Sequence, residues 1–93
     1  MIDETAYREK VSAEGYDAPE VLTKEAGATA GNEFHTHDFG ASVLVLEGEI
    51  TVITTDGPTT CRVGDTFALD ANIEHKEVYG ADGLRMLIAR KPA

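Results

Sequence analysis

From Pro19 onward the chain runs in short stretches of period two, broken by Gly and Asp turns. That pattern constrains the fold more than any other feature. Residues 20–24 read as a strand. Residues 41–46 are a continuous apolar run, suited to a strand buried on both faces. Glu47-Gly48-Glu49 reads as a tight turn, and 49–55 then alternates around Ile50, Thr51, Val52 and Ile53. Asp56-Gly57 followed by Pro58 is a hairpin signal, with 59–63 as the return strand. Gly64-Asp65 marks another turn, and 66–69, 73–78 and 84–89 are further short strands. Residues 26–32, rich in Gly, Ala and Thr, read as a loop. Short strands at regular spacing with such turns predict an antiparallel sandwich or small barrel.

The first fourteen residues differ. Asp3 is placed to cap a helix, and Glu4 in the first turn suits the helix dipole. Ala6, Tyr7, Lys10, Val11 and Glu14 recur near helical spacing, and Gly15 is a good stop. The expectation is a short α-helix over Glu4–Ala13, with Tyr7 and Val11 as one packing face. The domain division that follows is 1–15 as an N-terminal helix packed on a barrel of 16–93.

Composition mostly excludes. With 17 Asp and Glu against 8 Lys and Arg, the formal charge is −9. So acidic a chain argues against nucleic acid as a partner. Its single Cys makes neither an intrachain disulfide nor a Cys-rich zinc site. No apolar run approaches the ~20 residues of a membrane span, so no membrane partner is expected. The first ten residues carry Asp3, Glu4 and Glu9 and lack the apolar segment of a secretory signal, which makes a cytoplasmic location the default. A chain of 93 residues buries about 60–65% of its unfolded surface. Such marginal size invites oligomerisation, and a homodimer is expected.

The three His stand at His35, His37 and His75. On a strand, His35 and His37 point to one face and Thr36 to the other. His75 joins them only if the sheet folds back, as a barrel does. Imidazole is the commonest transition-metal ligand near neutral pH. Three neutral His on rigid strands leave open coordination positions for water or substrate. A surface H-x-H pair would be the bland alternative.

The surroundings favour the site. The segment His35-Thr36-His37-Asp38-Phe39-Gly40-Ala41-Ser42-Val43-Leu44-Val45-Leu46-Glu47-Gly48-Glu49 resembles the first motif of the cupin family: H-x-H, three or four residues, Glu, six residues, Gly. The segment Gly64-Asp65-Thr66-Phe67-Ala68-Leu69-Asp70-Ala71-Asn72-Ile73-Glu74-His75 resembles the second: G-D, a strand, a Pro-x-Gly turn, then His. The gap 50–63 matches the inter-motif hairpin of small bacterial cupins, and the resemblance spans about residues 20–90. It implies an all-β fold, a cupin-like jelly-roll β-barrel, with a divalent metal inside one mouth and a tendency to dimerise.

Four departures bear on that implication. Counting back seven from Gly48, the family's glutamate ligand falls at Ala41, which cannot bind metal, and Ser42 beside it faces the opposite side. Asp70 stands where Pro is typical and Asn72 where Gly is typical. Asn tolerates the left-handed conformation, so the turn can survive. Tyr79 occupies the late Asn position. The carried-over ligands are therefore His35, His37 and His75, for an ion that could be Fe, Zn, Ni, Mn or Cu.

Three other acids are candidate substitutes. Asp38 points away on a regular strand, Glu33 suits a pocket rim or a solvated loop, and Glu47 belongs at a barrel end. Phe34, Phe39 and Phe67 are expected to pack in the core, Cys61 to be a small core residue, and Tyr79 to line the mouth or pack. Arg62 and Arg85 could hold an anionic substrate if they face inward, although a solvated face is the simpler expectation. Two functions follow. One is a metal-dependent enzyme acting on a small molecule, dioxygenase-like by analogy with three-His cupins, or an isomerase or lyase using the metal as Lewis acid. The other is a non-catalytic small-molecule-binding or sensor cupin, with weak metal binding or none.

Overall fold

The computed structural model describes residues 3–25 and 34–92. The elements run in the order α1 (Glu4–Ala13), β1 (Glu20–Lys24), β2 (Phe39–Thr54), β3 (Gly57–Arg62), β4 (Thr66–Leu69) and β5 (His75–Pro92). The 26–32 segment read as a loop and Glu33 lie outside the described residues.

Two long strands organise everything else. β2 and β5 pair antiparallel from Phe39↔Pro92 to Thr54↔His75, with irregularities between Val45 and Glu47 and between Gly48 and Ile50. β4 pairs with the first half of β2, at 41–44, and β3 with its second half, at 49–54. β1 covers the other side of β5, Glu20–Lys24 against 84–88. Residues from both halves bury one another: Val43, Val45 and Met86 share a core with Ile50, Val52, Cys61 and Tyr79. The result is the expected all-β barrel with one short helix.

The long strands correct the sequence reading. Glu47-Gly48-Glu49 is not a turn between two strands, and 73–78 and 84–89 are not separate. Gly48 and Gly83 explain why. Both have positive φ, +78° and +79°. A Cβ on Gly48 would lie 2.0 Å from the Gly83 carbonyl oxygen. Two bare backbones therefore press together, and both strands bend through bulges at one corner without ending. The hairpin at Asp56-Gly57 forms as expected. Its last pair is Thr54↔Gly57, and Gly57 takes φ +109°.

The helix behaves as its sequence suggests. Asp3 Oδ1 accepts from the Ala6 N–H at 2.9 Å, and Gly15 follows the last turn at φ +89°. Tyr7 and Val11 are buried against Leu44, Leu87 and Ala89 on the outer face of the β2–β5 pair. Burying a side chain the size of Val11 contributes about 1.5–3 kcal/mol. The Tyr7 hydroxyl donates to the Ser42 carbonyl at 2.8 Å. Alternation along β2 thus sends Ser42 and Leu44 to the helix, and Ala41 and Val43 to the interior.

Candidate metal centre

The three His come together through backbone pairing. His35 forms an isolated antiparallel bridge with His75, its N–H donating to the His75 carbonyl at 2.9 Å and the reverse bond measuring 3.0 Å. His37 is tied by the turn before β5, where the Asn72 N–H donates to the His37 carbonyl at 2.8 Å. Asn72 has φ +65°, as its place in the motif requires. The ring centroids lie 4.5 Å apart for His35 and His75, 5.0 Å for His35 and His37, and 5.2 Å for His37 and His75.

A fourth group completes the cluster. Glu77 follows His75 by two residues on β5, so both face the interior. One ligand atom from each of His35, His37, His75 and Glu77 lies within 4.8 Å of every other. Sequence reasoning weighed Glu33, Asp38 and Glu47 and missed Glu77. The signal was available: His75, Glu77 and Tyr79 share parity on one strand, whereas His35 and His37 lie on the segment before β2, His35 as an isolated bridge, and not on the regular strand expected of them.

The donor chemistry suits a cation. His75 Nδ1 lies 2.9 Å from the Ile73 carbonyl oxygen. A carbonyl only accepts, so this bond assigns a proton to Nδ1, and in the neutral ring Nε2 is then the ligating nitrogen. His75 is 2% exposed, and Nε2 has no hydrogen-bond partner. Such a buried orphan is costly unless an ion or water meets it. Glu77 Oε1 stands 3.4 Å from that nitrogen, while Glu77 Oε2 accepts from the Tyr79 hydroxyl at 3.2 Å. Burial, then the nearby Glu77 charge, pushes the Tyr79 phenol up to about 12, so it stays a donor. Burial and the neighbouring His75 and His35 rings lower the His37 pKa, which keeps His37 neutral and able to ligate.

The cluster opens on a cavity of about 220 Å³. Leu22, Val43, Ile50, Phe67, Met86 and Ile88 give it apolar walls. Ala41 lines it as well, so the family's glutamate position is a bare methyl, and the carboxylate near the His comes from β5. Phe39 stacks on His37 at 4.9 Å between centroids.

The remaining candidates separate cleanly. Asp38 is exposed and outside the cluster. Glu47 is exposed and pairs with Arg85 at 3.4 Å, at a barrel end as expected. Cys61 is buried in the core, with its thiol pKa raised by burial. Phe34 is not core: it is exposed beneath the Lys76 ammonium, 5.3 Å from the ring centroid. Arg62 and Arg85 lie on the surface, paired with Glu49 and Glu47. The Arg that reaches the cavity is Arg90, which the sequence reading left beyond a strand ending at residue 89.

Solved structures match this arrangement at low sequence identity. An RmlC-like cupin from Shewanella frigidimarina superposes with TM-score 0.68 and 22% identity, over 82% of this chain and 66% of that one. A cupin-2 domain protein from the same organism gives TM-score 0.61 and 18% identity, over 94% and 92%. The fold is that of the cupins. A cupin-superfamily sugar phosphate isomerase from Silicibacter pomeroyi also matches, with TM-score 0.62 and 15% identity, covering 82% of this chain. This chain spans only half of that isomerase and less than two thirds of several other matched structures. No family model and no curated protein matches the sequence. No helix among the described residues is long and apolar enough to cross a membrane.

Proposed function

We propose that this chain is a metal-dependent cupin enzyme acting on a small molecule, with His35, His37, His75 and Glu77 holding one divalent transition metal. The observation that carries the reading is the His75 Nε2 atom. It is buried and has no hydrogen-bond partner, yet it faces three further ligand atoms. A bound divalent ion would polarise a coordinated substrate oxygen or activate a small co-substrate. The protein's own part is to hold four ligands on paired strands, keep Tyr79 donating to Glu77, and surround the substrate with apolar walls. Those walls exclude water and strengthen polar contacts inside.

Three His support dioxygenase-like chemistry by analogy. A second reading is a Lewis-acid isomerase or lyase, in which the ion would polarise a substrate oxygen without changing oxidation state. The matched sugar phosphate isomerase is a precedent for isomerisation on this fold. Elemental analysis of untagged protein tests the shared premise, with about one equivalent of a transition metal expected. A chain that neither co-purifies with metal nor binds it as apoprotein would overturn the proposal. Oxygen uptake during turnover then separates dioxygenase from isomerase.

A further inference from the structure

We infer that the cavity takes a small organic acid whose carboxylate seats on Arg90 while its other end reaches the His35, His37, His75 and Glu77 cluster. The inference rests on the metal-site reading and names the substrate class of that site. Arg90 follows Met86 and Ile88 on the inward row of β5, and all three line the cavity. The guanidinium carbon lies 5.7 Å from the Phe39 ring centroid. Phe39 in turn stacks on His37 at 4.9 Å. One aromatic ring therefore separates the cation from the ligand cluster.

Two neighbours set what Arg90 can do. Glu20 on β1 accepts from Nη1 and fixes the side chain. A guanidinium carries five donors, so that one bond leaves capacity for a second carboxylate. Ala41 is the cross-strand partner of Arg90 and also faces the cavity. A glutamate at 41 would place a fixed carboxylate opposite the guanidinium; the methyl leaves that place to a ligand. The nearby walls, Phe39 and Ile88, offer no donor, and a second cation lining the cavity, Lys24, stands at the opposite end of β1 from Glu20. Asp70 also lines the cavity and repels excess anionic charge, which favours a ligand with one free carboxylate. A cavity of 220 Å³ limits that acid to a small one, below the ~300–1,000 Å³ of drug-sized pockets.

The test uses cobalt(II)-loaded protein, with glutarate and pentanoate as probes and the cobalt absorption bands as readout. Glutarate can engage the metal and Arg90 together, whereas pentanoate can engage only one of them. Glutarate is expected to bind about tenfold more tightly, the worth of one charge-assisted hydrogen-bonded contact. Arg90→Met should reduce glutarate to the pentanoate level with cobalt affinity unchanged. Arg90→Gln should also abolish the preference while retaining cobalt, and it serves as the deciding variant if Arg90→Met fails to fold. Equal binding of the two acids to the cobalt form, or a preference that survives these variants, overturns the inference alone. Failure of the wild-type chain to bind cobalt overturns the metal-site reading as well.

Discussion

His75 Nε2 and Glu77 Oε1 face each other at 3.4 Å without forming a hydrogen bond. In the neutral ring with its proton on Nδ1 both atoms are acceptors, and a cation between them would reconcile the pair. Glu77→Gln keeps the size of the side chain and removes its charge. It should weaken zinc or cobalt binding by about 10–100-fold, measured by competition with a chromophoric chelator. His75→Ala should remove measurable binding. Unchanged affinity in Glu77→Gln would remove Glu77 from the ligand set.

The corner at Gly48 and Gly83 permits the sharpest stability prediction. Gly48→Ala puts a Cβ 2.0 Å from the Gly83 carbonyl oxygen at φ +78°. Backbone must move, and both long strands pass through this point. The expected loss is about 3 kcal/mol or more, read from urea unfolding. Gly64→Ala is the control: it has a similar φ of +90° but nothing near the added Cβ. Its cost should stay near 1–2 kcal/mol.

The contrast between these two positions also shows what was legible beforehand. Gly48 reads as a turn because Glu47-Gly48-Glu49 interrupts an apolar run, and local sequence cannot reveal that Gly83 lies behind it. The Asp56-Gly57 hairpin, the Asp3 cap, the outward Ser42 and the left-handed Asn72 were local matters of parity or turn chemistry, and these were readable. The His cluster was readable because its spacing matches a known motif. Glu77 and Arg90 were not recognised, for different reasons. The family pattern directed attention to position 41, and the last strand was ended at residue 89. The parity of Glu77 with His75 was already legible within 73–78, whereas Arg90 becomes visible only when β5 is known to run on to Pro92.

The tyrosines give the pH dependence. Burial raises the Tyr7 pKa, against a smaller lowering by Ser42, and raises Tyr79 to about 12. Each group's contribution to stability is fully present below the unfolded value of about 10 and is lost as pH rises through the folded value. Stability should therefore fall on the alkaline side, and Tyr7→Phe should flatten that fall while costing about 1 kcal/mol at neutral pH for the lost bond to Ser42. Absorbance titration at alkaline pH, alongside urea unfolding at each pH, checks both. An alkaline slope unchanged in Tyr7→Phe would refute the assignment to Tyr7.

Asn72 links backbone conformation to the candidate site. Its φ of +65° costs most residues about 1 kcal/mol, and its N–H holds the His37 carbonyl at 2.8 Å. Asn72→Gly fits that conformation and should leave both stability and metal affinity within about twofold of the wild type. Asn72→Val is β-branched and resists positive φ, so the turn must relax and release its hold on His37. Metal affinity should then fall by about tenfold or more, although the substituted side chain is exposed and belongs to no ligand. Isothermal titration of zinc into the two variants separates them. Equal affinities would show that His37 is positioned by β2 alone, without help from the turn that leads into β5.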